Sequence, residues 1–310
     1  MYEISVVIPV YHSGSTIGLV VDRVIKHLES QNVIYEIILV DDGSGTDTWS
    51  VVRDIAIRQP NVKAKRLGRN YGQHSAILAG VRSAKFPIVV TIDDDLQNPP
   101  EEIFKLVRTL GESTTIDVVY GVPTSVSQPW WRRKLGQGIR MFLGTTMGIG
   151  EATKFSSFRA FRTKLRDGFN SRLGPGVSID ALLAWSTDSF MSVTVQHNER
   201  EIGKSNYSVR KLLRFALDTV TGYSTLPLRL SSILGLATAT GGLVLLVFFV
   251  LVPVFQGISV QGFPFLASTI ILFSGIQLIS LGVIGEYLAR MHFRVMQKPE
   301  YFVMEEEGTD

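Results

Sequence analysis

The sequence predicts an α/β fold with a mostly parallel sheet, followed by a two-helix transmembrane hairpin. The first half of the 310 residues alternates short apolar, β-branched runs with segments of helical periodicity. This alternation is typical of parallel sheets that are covered by helices on both faces. Residues 230–285 contain no Asp, Glu, Lys or Arg, and two helices of roughly 20 residues, each able to cross a membrane, fit within that stretch.

The alternation in the first half predicts individual elements. The predicted strands are residues 4–10, 35–40, 62–67, 88–92 and 117–120, and the predicted helices are residues 16–29, 48–58, 74–83 and 101–110. In such sheets, ligands bind at the carboxyl ends of the strands. Two acidic clusters fall at these ends: Asp41 and Asp42 after the second strand, and Asp93, Asp94 and Asp95 after the fourth.

Two apolar runs, residues 230–255 and 263–288, form the predicted hairpin. Each is longer than the roughly 20 residues that a transmembrane helix needs. The alternative is a buried helical hairpin in a large soluble core, although such cores rarely contain two helices that are apolar all round. Lys and Arg flank the outer ends of the hairpin and are missing from its connector. This asymmetry predicts an inner-membrane protein with both termini and the α/β region in the cytoplasm.

The predicted domains are an α/β domain over residues 1–205, an interfacial amphipathic region over 206–228, two transmembrane helices over 229–289 and a cytoplasmic tail over 290–310. The acidic end of the tail, residues 305–310, is expected to be disordered. Trp130 and Trp131 precede three cations and a helical pattern over 135–147. We interpret that segment as a helix lying on the membrane surface; the alternative is a solvated charged helix.

Composition and missing motifs exclude several classes of protein. There is no cysteine, so disulfides and thiolate metal sites are excluded. A net charge of only +3 does not favour nucleic acid, and the basic residues beside the spans suit anionic lipids better. Neither a Gly-x-Gly-x-x-Gly after the first strand nor a Walker-type Gly-Lys-Ser/Thr occurs, which argues against dinucleotide and P-loop sites. The amino-terminal pattern lacks the features of a cleaved signal.

The run Asp93-Asp94-Asp95 is the sharpest chemical signal in the sequence. Like charges this close raise one another's pKa, and a divalent cation would relieve the conflict. If the segment is extended, Asp93, Asp95 and Gln97 share one side. Oxygen ligands suit Mg²⁺ or Mn²⁺, which also bind diphosphates. The alternative is a solvated turn with a helix-capping aspartate.

Other polar residues carry weaker signals. A carboxylate at Asp41 or Asp42 can accept hydrogen bonds from a nucleoside, or the pair can form a turn into the glycines that follow. His74 fits a helix start as well as a ligand contact. Cations able to clamp a diphosphate or a lipid phosphate, or simply to lie in solvent, are Arg159, Arg162, Arg200, Lys204 and Lys211.

Several motifs together resemble glycosyltransferase family 2. They are residues 4–11, Asp41-Asp42-Gly43-Ser44, residues 68–76, Asp93-Asp94-Asp95-Leu96-Gln97, residues 199–208 and Gly285-Glu286-Tyr287. Their order and the two spans resemble the polyprenyl-phosphate glycosyltransferases, of the dolichyl-phosphate mannose synthase, bactoprenol glucosyltransferase and undecaprenyl-phosphate aminoarabinose transferase types. The similarity extends over residues 4–303.

The resemblance implies a Rossmann-like GT-A catalytic domain and an inverting transfer of sugar from a nucleotide sugar to undecaprenyl phosphate. It favours UDP over GDP as the nucleotide and implies a lipid-linked monosaccharide for cell-envelope glycan or lipid modification. The implied Mg²⁺ or Mn²⁺ ligands are Asp93, Asp95 and Gln97. The implied nucleotide-binding residues are Pro9, Tyr11, Asp41, Asp42, Asp93 and Asp94, and the implied phosphate-binding residues are Arg200 and Lys204.

The chain also departs from these relatives. They often have an arginine soon after the position of Gly121 and an acid shortly before that of Phe158. We expect Arg132 or Arg133 to take the first role and Asp180 the second, so the predicted catalytic residues are Asp95, Asp180 and Arg159. The departures leave a rival, a non-catalytic membrane protein that binds nucleotide or lipid. Small residues in the spans are compatible with a homo-oligomer.

Overall fold

A computed structural model describes residues 1–123, 155–169, 178–198, 225–247, 255–256, 262–296 and 299–308. The chain divides into two compact units. The first combines Met1–Asn206 with Met296–Asp310, and the second is Tyr207–Val295. The chain therefore leaves the first unit, forms the second, and returns to the first at its carboxyl end.

A single eight-stranded sheet lies at the centre of the described part of the first unit. Its strands are β1 (Glu3–Val10), β2 (Ile34–Asp41), β3 (Val62–Leu67), β4 (Ile88–Thr91), β5 (Val118–Pro123), β6 (Arg159–Arg162), β7 (Phe190–Val195) and β8 (Val303–Glu307). The spatial order is β7-β5-β6-β4-β1-β2-β3-β8. Strands β3, β2, β1 and β4 are parallel to their neighbours within that group, which confirms the parallel sheet that the sequence predicts.

Two strands interrupt the parallel order. Strand β6 runs antiparallel to both β4 and β5, and β8 runs antiparallel to β3. Neither was predicted from the sequence. Strand β6 has only four residues, with an arginine at each end, which is too short to establish a period. Strand β8 consists mainly of glutamate, a residue that is depleted in strands.

Helices cover both faces of the sheet. The α-helices in the described residues of this unit are α1 (Ile17–Ser30), α2 (Thr46–Arg58), α3 (Gln73–Ser83), α4 (Ile103–Glu112) and α5 (Ile179–Ser186). Apolar residues of α1, α2 and α4 form one core cluster with the sheet, and those of α3 and α5 form another. Because helices cover both faces of the sheet, strands such as β1 are buried along nearly their whole length. All four predicted helices are present in α1 to α4.

The carboxyl-terminal strand corrects a sequence prediction. Residues 305–310 were expected to be disordered, but Glu305, Glu306 and Glu307 lie in β8 at the edge of the sheet. The physical reason is charge pairing: each of these three glutamates forms an ion pair with a cation of β3 or α2. Acidic composition therefore did not produce a disordered end, because a basic strand edge was available to pair with it.

The second unit contains two long helices, α6 (Leu226–Leu246) and α7 (Phe263–Val295). The two helices pack closely at Gly242 and Phe273. A Cβ atom added to Gly242 would lie 2.9 Å from the Phe273 ring. Large apolar side chains such as Leu236 and Leu278 are exposed. In the described part of the chain, one helical window, Leu272–Ala289, is long and apolar enough to cross a membrane, and none of it is buried. The second predicted span thus has a counterpart, and the complete hairpin stays a prediction.

Some sequence predictions fall outside the described residues. These are the interfacial helix over 135–147 with its paired tryptophans and most of the amphipathic region over 206–228. They stay predictions, as do the cytoplasmic orientation and the exact domain boundaries.

Candidate active site

The carboxyl ends of β1, β2 and β4 meet at one edge of the sheet, and their loops are hydrogen-bonded to one another. The backbone N–H of Asp42, after β2, donates to the Val10 carbonyl at the end of β1 (2.9 Å). The His12 N–H donates to Ser44 Oγ (3.0 Å). The Tyr11 N–H donates to a carboxylate oxygen of Asp94, after β4 (3.2 Å). Both acidic clusters are therefore tied to the same loop that follows β1.

Asp41 ends β2 and is fully buried. Its Oδ1 accepts a hydrogen bond from the Ser44 N–H (3.2 Å). Its Oδ2 is buried and has no hydrogen-bond partner within the described part of the chain. Arg66 Nε lies 3.9 Å from this oxygen. Burial raises the pKa of Asp41, against hydrogen bonds from Ser44 and the charge of Arg66. A buried acceptor without a protein partner can be satisfied by an ordered water or by a donor on a bound ligand.

Asp42, by contrast, has both oxygens occupied. They accept hydrogen bonds from the backbone N–H groups of Tyr71 (2.7 Å) and Gly72 (2.8 Å). Next to it, Gly43 has a φ of +70°, and a Cβ atom there would lie 2.4 Å from the Arg69 carbonyl carbon. This position requires glycine, because a side chain would push the two loops apart. Asp42 thus fastens the loop before α3 to the end of β2.

Asp93 lies directly beyond β4 and is held by two side chains. Gln73 Nε2 donates to its Oδ1 (2.7 Å), and Ser157 Oγ donates to its Oδ2 (2.5 Å). Burial, together with the negative charges of Asp95 and Asp94, raises the pKa of Asp93 to about 6, against the Ser157 hydrogen bond. The charged form of Asp93 is therefore disfavoured by its surroundings in the absence of a cation.

The neighbouring aspartates do not continue the strand. Asp94 and Asp95 form a turn, and Leu96 has a φ of +59°. The extended geometry on which the metal prediction was argued is therefore wrong for this segment. Asp94 accepts from Tyr11 N–H and Ser13 Oγ, so it fastens the loop after β1. Asp95 Oδ1 accepts from the backbone N–H of Gln97 (3.1 Å).

Arg159 on β6, which is buried, forms an ion pair with the partly buried Asp180 on α5. Arg159 Nε also donates to Thr91 Oγ1 at the end of β4 (3.1 Å). Asp180 accepts a second hydrogen bond from the Tyr120 hydroxyl (2.9 Å). Burial and the Asp180 charge raise the pKa of Tyr120 well above its usual value, so Tyr120 stays a hydrogen-bond donor. Two predicted catalytic residues are thus brought together, with Thr91 linking them to the strand that carries Asp93.

His74 lies beside this pair at the start of α3. Its Nδ1 accepts a hydrogen bond from the Ile179 N–H (3.4 Å). Burial lowers the pKa of His74, against the charge of Asp180. The ring is therefore favoured in its neutral form, and the observed contact is with the first residue of α5.

The remaining predicted residues lie at two kinds of position. Pro9 pairs with Val40 within the parallel β1–β2 ladder. Tyr11 is half-exposed just beyond β1, with its ring centroid 4.2 Å from that of His12. The predicted phosphate-binding residues Arg132, Arg133, Arg200 and Lys204 lie outside the described residues, so their roles stay predictions.

Three residues of this site escaped the sequence analysis: Gln73, Tyr120 and Ser157. Ser157 and Tyr120 reach the site through β6 and β5, and β6 was not predicted at all. The lack of an acid in residues 153–157, where relatives often have one, was the one available signal. Its contact with Asp93 depends on strand pairing that a sequence pattern does not show.

Comparisons with known proteins identify the family of the chain. Residues 5–170 match the family described as glycosyl transferase family 2. The chain is 34% identical over 310 residues to the undecaprenyl-phosphate 4-deoxy-4-formamido-L-arabinose transferase of Proteus mirabilis (strain HI4320), covering 99% of this chain and 94% of that protein. Identity to the protein of the same name from Sodalis glossinidius (strain morsitans) is also 34%, over 97% of this chain and 93% of that protein.

Solved structures share the fold at lower identity. Glucosyl-3-phosphoglycerate synthase from Mycobacterium tuberculosis, in complex with Mn²⁺, UDP and phosphoglyceric acid, superposes with a TM-score of 0.52 at 19% identity, covering 71% of this chain and 76% of that one. Mannosyl-3-phosphoglycerate synthase from Rubrobacter xylanophilus gives a TM-score of 0.54 at 13% identity, covering 71% and 72%. These likenesses support the GT-A fold.

Proposed function

Because the chain belongs to glycosyltransferase family 2, we propose that it transfers a sugar from a nucleotide sugar, probed first as a UDP-sugar, to undecaprenyl phosphate. The observation that carries the proposal is that Asp41 and the acidic run after β4 lie at the same edge of the sheet. Asp41 contributes a buried oxygen without a hydrogen-bond partner among the described residues, and Asp93 contributes a carboxylate with a raised pKa. The acceptor follows from the names of relatives that align with nearly the whole chain.

The donor's nucleoside would bind at the end of β2. Asp41 Oδ2 is a buried acceptor that suits an N–H of a base ring or a ribose hydroxyl. Tyr11 adds a half-exposed aromatic ring beyond β1. Asp42 and Asp94 support the pocket indirectly, because each holds one of its loops.

A divalent cation, Mg²⁺ or Mn²⁺, would be held by Asp93 and Asp95 with the amide oxygen of Gln97. Among the described residues, no three His, Asp or Glu side chains converge into a complete metal cluster. The donor set still fits a hard ion, since it consists of oxygen ligands with two further carboxylates beside Asp93, and such ions are often bound by one or two carboxylates plus substrate phosphates. When bound, the cation would stabilise the departing diphosphate.

The transfer itself would be a single displacement with inversion at the anomeric carbon. An oxygen of the lipid phosphate forms the new bond to that carbon as the bond to the donor diphosphate breaks. The attacking oxygen is already anionic, so positioning and charge neutralisation matter more than a strong base. The Arg159–Asp180 pair, held by Tyr120 and Thr91, would keep this edge of the sheet rigid and shield charge beside the reacting groups.

The acceptor requires access to lipid. The exposed apolar surface of α6 and α7 and the unburied window Leu272–Ala289 support membrane insertion of the second unit. We infer an inner-membrane protein with its catalytic unit in the cytoplasm, where nucleotide sugars are available. Arg132, Arg133, Arg200 and Lys204 are our candidates for the phosphate contacts of donor and acceptor.

The test is a transfer assay on the purified full chain. Labelled UDP-sugars, including 4-deoxy-4-formamido-L-arabinose, and GDP-sugars are incubated with undecaprenyl phosphate and Mg²⁺ or Mn²⁺. We expect label in the organic phase with undecaprenyl phosphate and none with undecaprenol, which lacks the phosphate. The product should have the inverted anomeric configuration by NMR. Nucleotide binding without labelled lipid for any donor would instead support the non-catalytic rival.

A further inference from the structure

Strand β8 places three consecutive glutamates along the edge of the sheet. In its register with β3, Glu305 lies opposite Arg66 and Glu306 opposite Lys65. Glu306 pairs with Lys65 (2.8 Å), and Glu307 pairs with Arg53 of α2 (2.9 Å). Each glutamate therefore has a cationic partner, so that substitutions of the three residues can be compared on the same strand.

Glu305 is held more firmly than an ordinary surface carboxylate. Its Oε1 accepts from Arg66 Nη1 (2.8 Å), and its Oε2 accepts from the indole Nε1 of Trp49 (2.9 Å). These hydrogen bonds lower the pKa of Glu305 below its usual value. The Arg66 guanidinium also lies 6.0 Å from the centroid of the Trp49 ring. Both oxygens of one carboxylate thus fix Arg66 and Trp49 together.

The other side of Arg66 faces Asp41. Arg66 Nε is 3.9 Å from Asp41 Oδ2, which is an ion-pair distance but too long for a hydrogen bond. Arg66 therefore supplies positive charge to the buried carboxylate without occupying its unpartnered oxygen. If the guanidinium moved toward Asp41 by about 1 Å, it would become the hydrogen-bond donor to that oxygen.

We propose that Glu305 is a positioning residue for the donor site, holding Arg66 back so that Asp41 Oδ2 remains available to the nucleoside. The inference rests on the proposed function, since it takes Asp41 as the nucleoside contact. Of the two carboxylates that form ion pairs with Arg66 among the described residues, loss of the Glu305 charge leaves Asp41. The guanidinium then competes with the nucleoside for the same oxygen.

Strand β8, at the carboxyl end, thereby contributes to donor binding. The strand follows α7 in the chain and joins β3 directly. Glu305 is linked to Asp41 through one side chain, that of Arg66. Glu306 and Glu307 pair with Lys65 and Arg53, which form no ion pair with Asp41 among the described residues. The same strand therefore contains one position expected to affect donor binding and two that serve as controls.

The experiment compares Glu305→Gln with Glu306→Gln and Glu307→Gln in the purified full chain. Glutamine keeps the shape of the side chain, and the three variants share the same change in net charge. UDP binding is measured by calorimetry, and kcat and donor KM by the transfer assay. We expect Glu305→Gln to weaken UDP binding and raise the donor KM by roughly tenfold, the usual effect of one charge-assisted hydrogen bond. Its kcat and both control variants should stay within about twofold of the unaltered chain.

Trp49→Phe provides a second variant, because it removes the indole donor and leaves the Glu305–Arg66 pair in place. We expect the donor KM to rise about threefold, in the same direction but by less. Equal UDP binding in Glu305→Gln and the unaltered chain would overturn this inference alone. Equal losses in all three glutamine variants, together with lower melting temperatures, would show a purely structural strand. Failure of the unaltered chain to bind UDP or GDP would instead overturn the proposed function, and this inference with it.

Discussion

The two acidic strand ends of the site resemble each other in sequence but differ in how their carboxylates are used. At each end, one aspartate fastens a neighbouring loop: Asp42 binds the backbone before α3, and Asp94 binds the loop after β1. The aspartates that precede them differ. Asp41 retains a buried oxygen without a hydrogen-bond partner in the described residues, whereas Asp93 has both oxygens held by side chains.

Because of this difference, Asp41 and Asp93 suit different ligands. The unpartnered oxygen of Asp41 offers one directed hydrogen bond, which suits recognition of a neutral nucleoside. Asp93 is instead buried beside Asp94 and Asp95, and burial, followed by their negative charges, raises its pKa to about 6; a bound cation would favour its charged form. Neighbouring aspartates thus take different roles because of the elements around them, and substitutions at each end should affect different measurements.

The largest effect is expected at the end of β4. Asp95→Ala should lower kcat at least about a thousandfold, because the cation that stabilises the leaving diphosphate loses a ligand. UDP binding without metal should change little. The control is Asp54→Ala, which removes an exposed carboxylate from α2. Transfer by Asp95→Ala at an undiminished rate would contradict the metal assignment.

Substitution at the end of β2 should affect donor binding instead. Asp41→Asn preserves the shape of the side chain and removes the buried charge. We expect the donor KM and the UDP dissociation constant to rise roughly tenfold or more, with a smaller change in kcat, because the lost interaction is a hydrogen bond to the bound nucleoside. Calorimetry and steady-state kinetics provide the check. A fall in kcat with an unchanged KM would place Asp41 at the reacting centre.

Removing a loop-fastening carboxylate should cost stability more than chemistry. Asp42→Ala leaves two backbone N–H groups, those of Tyr71 and Gly72, without their acceptor. We expect a loss of about 2–4 kcal/mol in unfolding free energy, since each unsatisfied group costs about 1–3 kcal/mol and water can partly compensate. Thermal unfolding of the full chain measures it. A stable Asp42→Ala protein with lost UDP binding would give Asp42 the role assigned to Asp41.

The close approach of the two loops at Gly43 gives a further test. Gly43→Ala should destabilise the chain by about 2 kcal/mol, because a methyl group meets the Arg69 backbone and crowding of this kind typically costs 1–3 kcal/mol. Gly45→Ala is the matched control, since Gly45 also has a positive φ but no atom within 4 Å of the added Cβ. Equal destabilisation by both variants would attribute the effect to backbone conformation rather than to loop contact.

Much of the fold follows from local sequence patterns. Strands β1, β2 and β4 are apolar runs between clear helical periods, and their polar ends meet because parallel strands point the same way. Strand β8 did not follow from any pattern, because its pairing depends on Arg66, Lys65 and Arg53, which lie more than 200 residues earlier. Charge complementarity between distant segments does not appear in a local window.

The candidate site likewise contains residues that the sequence predicts and residues that it does not. Asp41 and Asp93 could be predicted, since a carboxylate at the end of a buried parallel strand is itself a local pattern. Which aspartates fasten neighbouring loops could not be predicted, because Asp42 and Asp94 accept hydrogen bonds from backbone groups of other loops. Ser157 and Glu305 could not be predicted either, since their contacts need the antiparallel strands β6 and β8.

The smallest effect concerns pH, where Asp42 and Asp117 should differ in sign. Burial raises the pKa of Asp42 above 3.8, against hydrogen bonds from Tyr71 and Gly72. Desolvation also acts on Asp117, but hydrogen bonds from Lys164 and Thr187 bring its pKa below 3.8. The stability that Asp42 contributes through this shift is present below pH 3.8 and lost as the pH rises through its raised pKa. That of Asp117 is present above pH 3.8 and lost as the pH falls through its lowered pKa.

Melting temperatures of the full chain, Asp42→Ala and Asp117→Ala across pH 3 to about pH 6 test this difference, over a range that brackets the usual aspartate pKa. The gap between the full chain and Asp42→Ala should narrow as the pH rises above 3.8. The gap to Asp117→Ala should narrow as the pH falls below that value. Gaps that change in the same direction for both variants would mean that burial does not dominate at Asp42, and that its two backbone hydrogen bonds hold the carboxylate in its charged form.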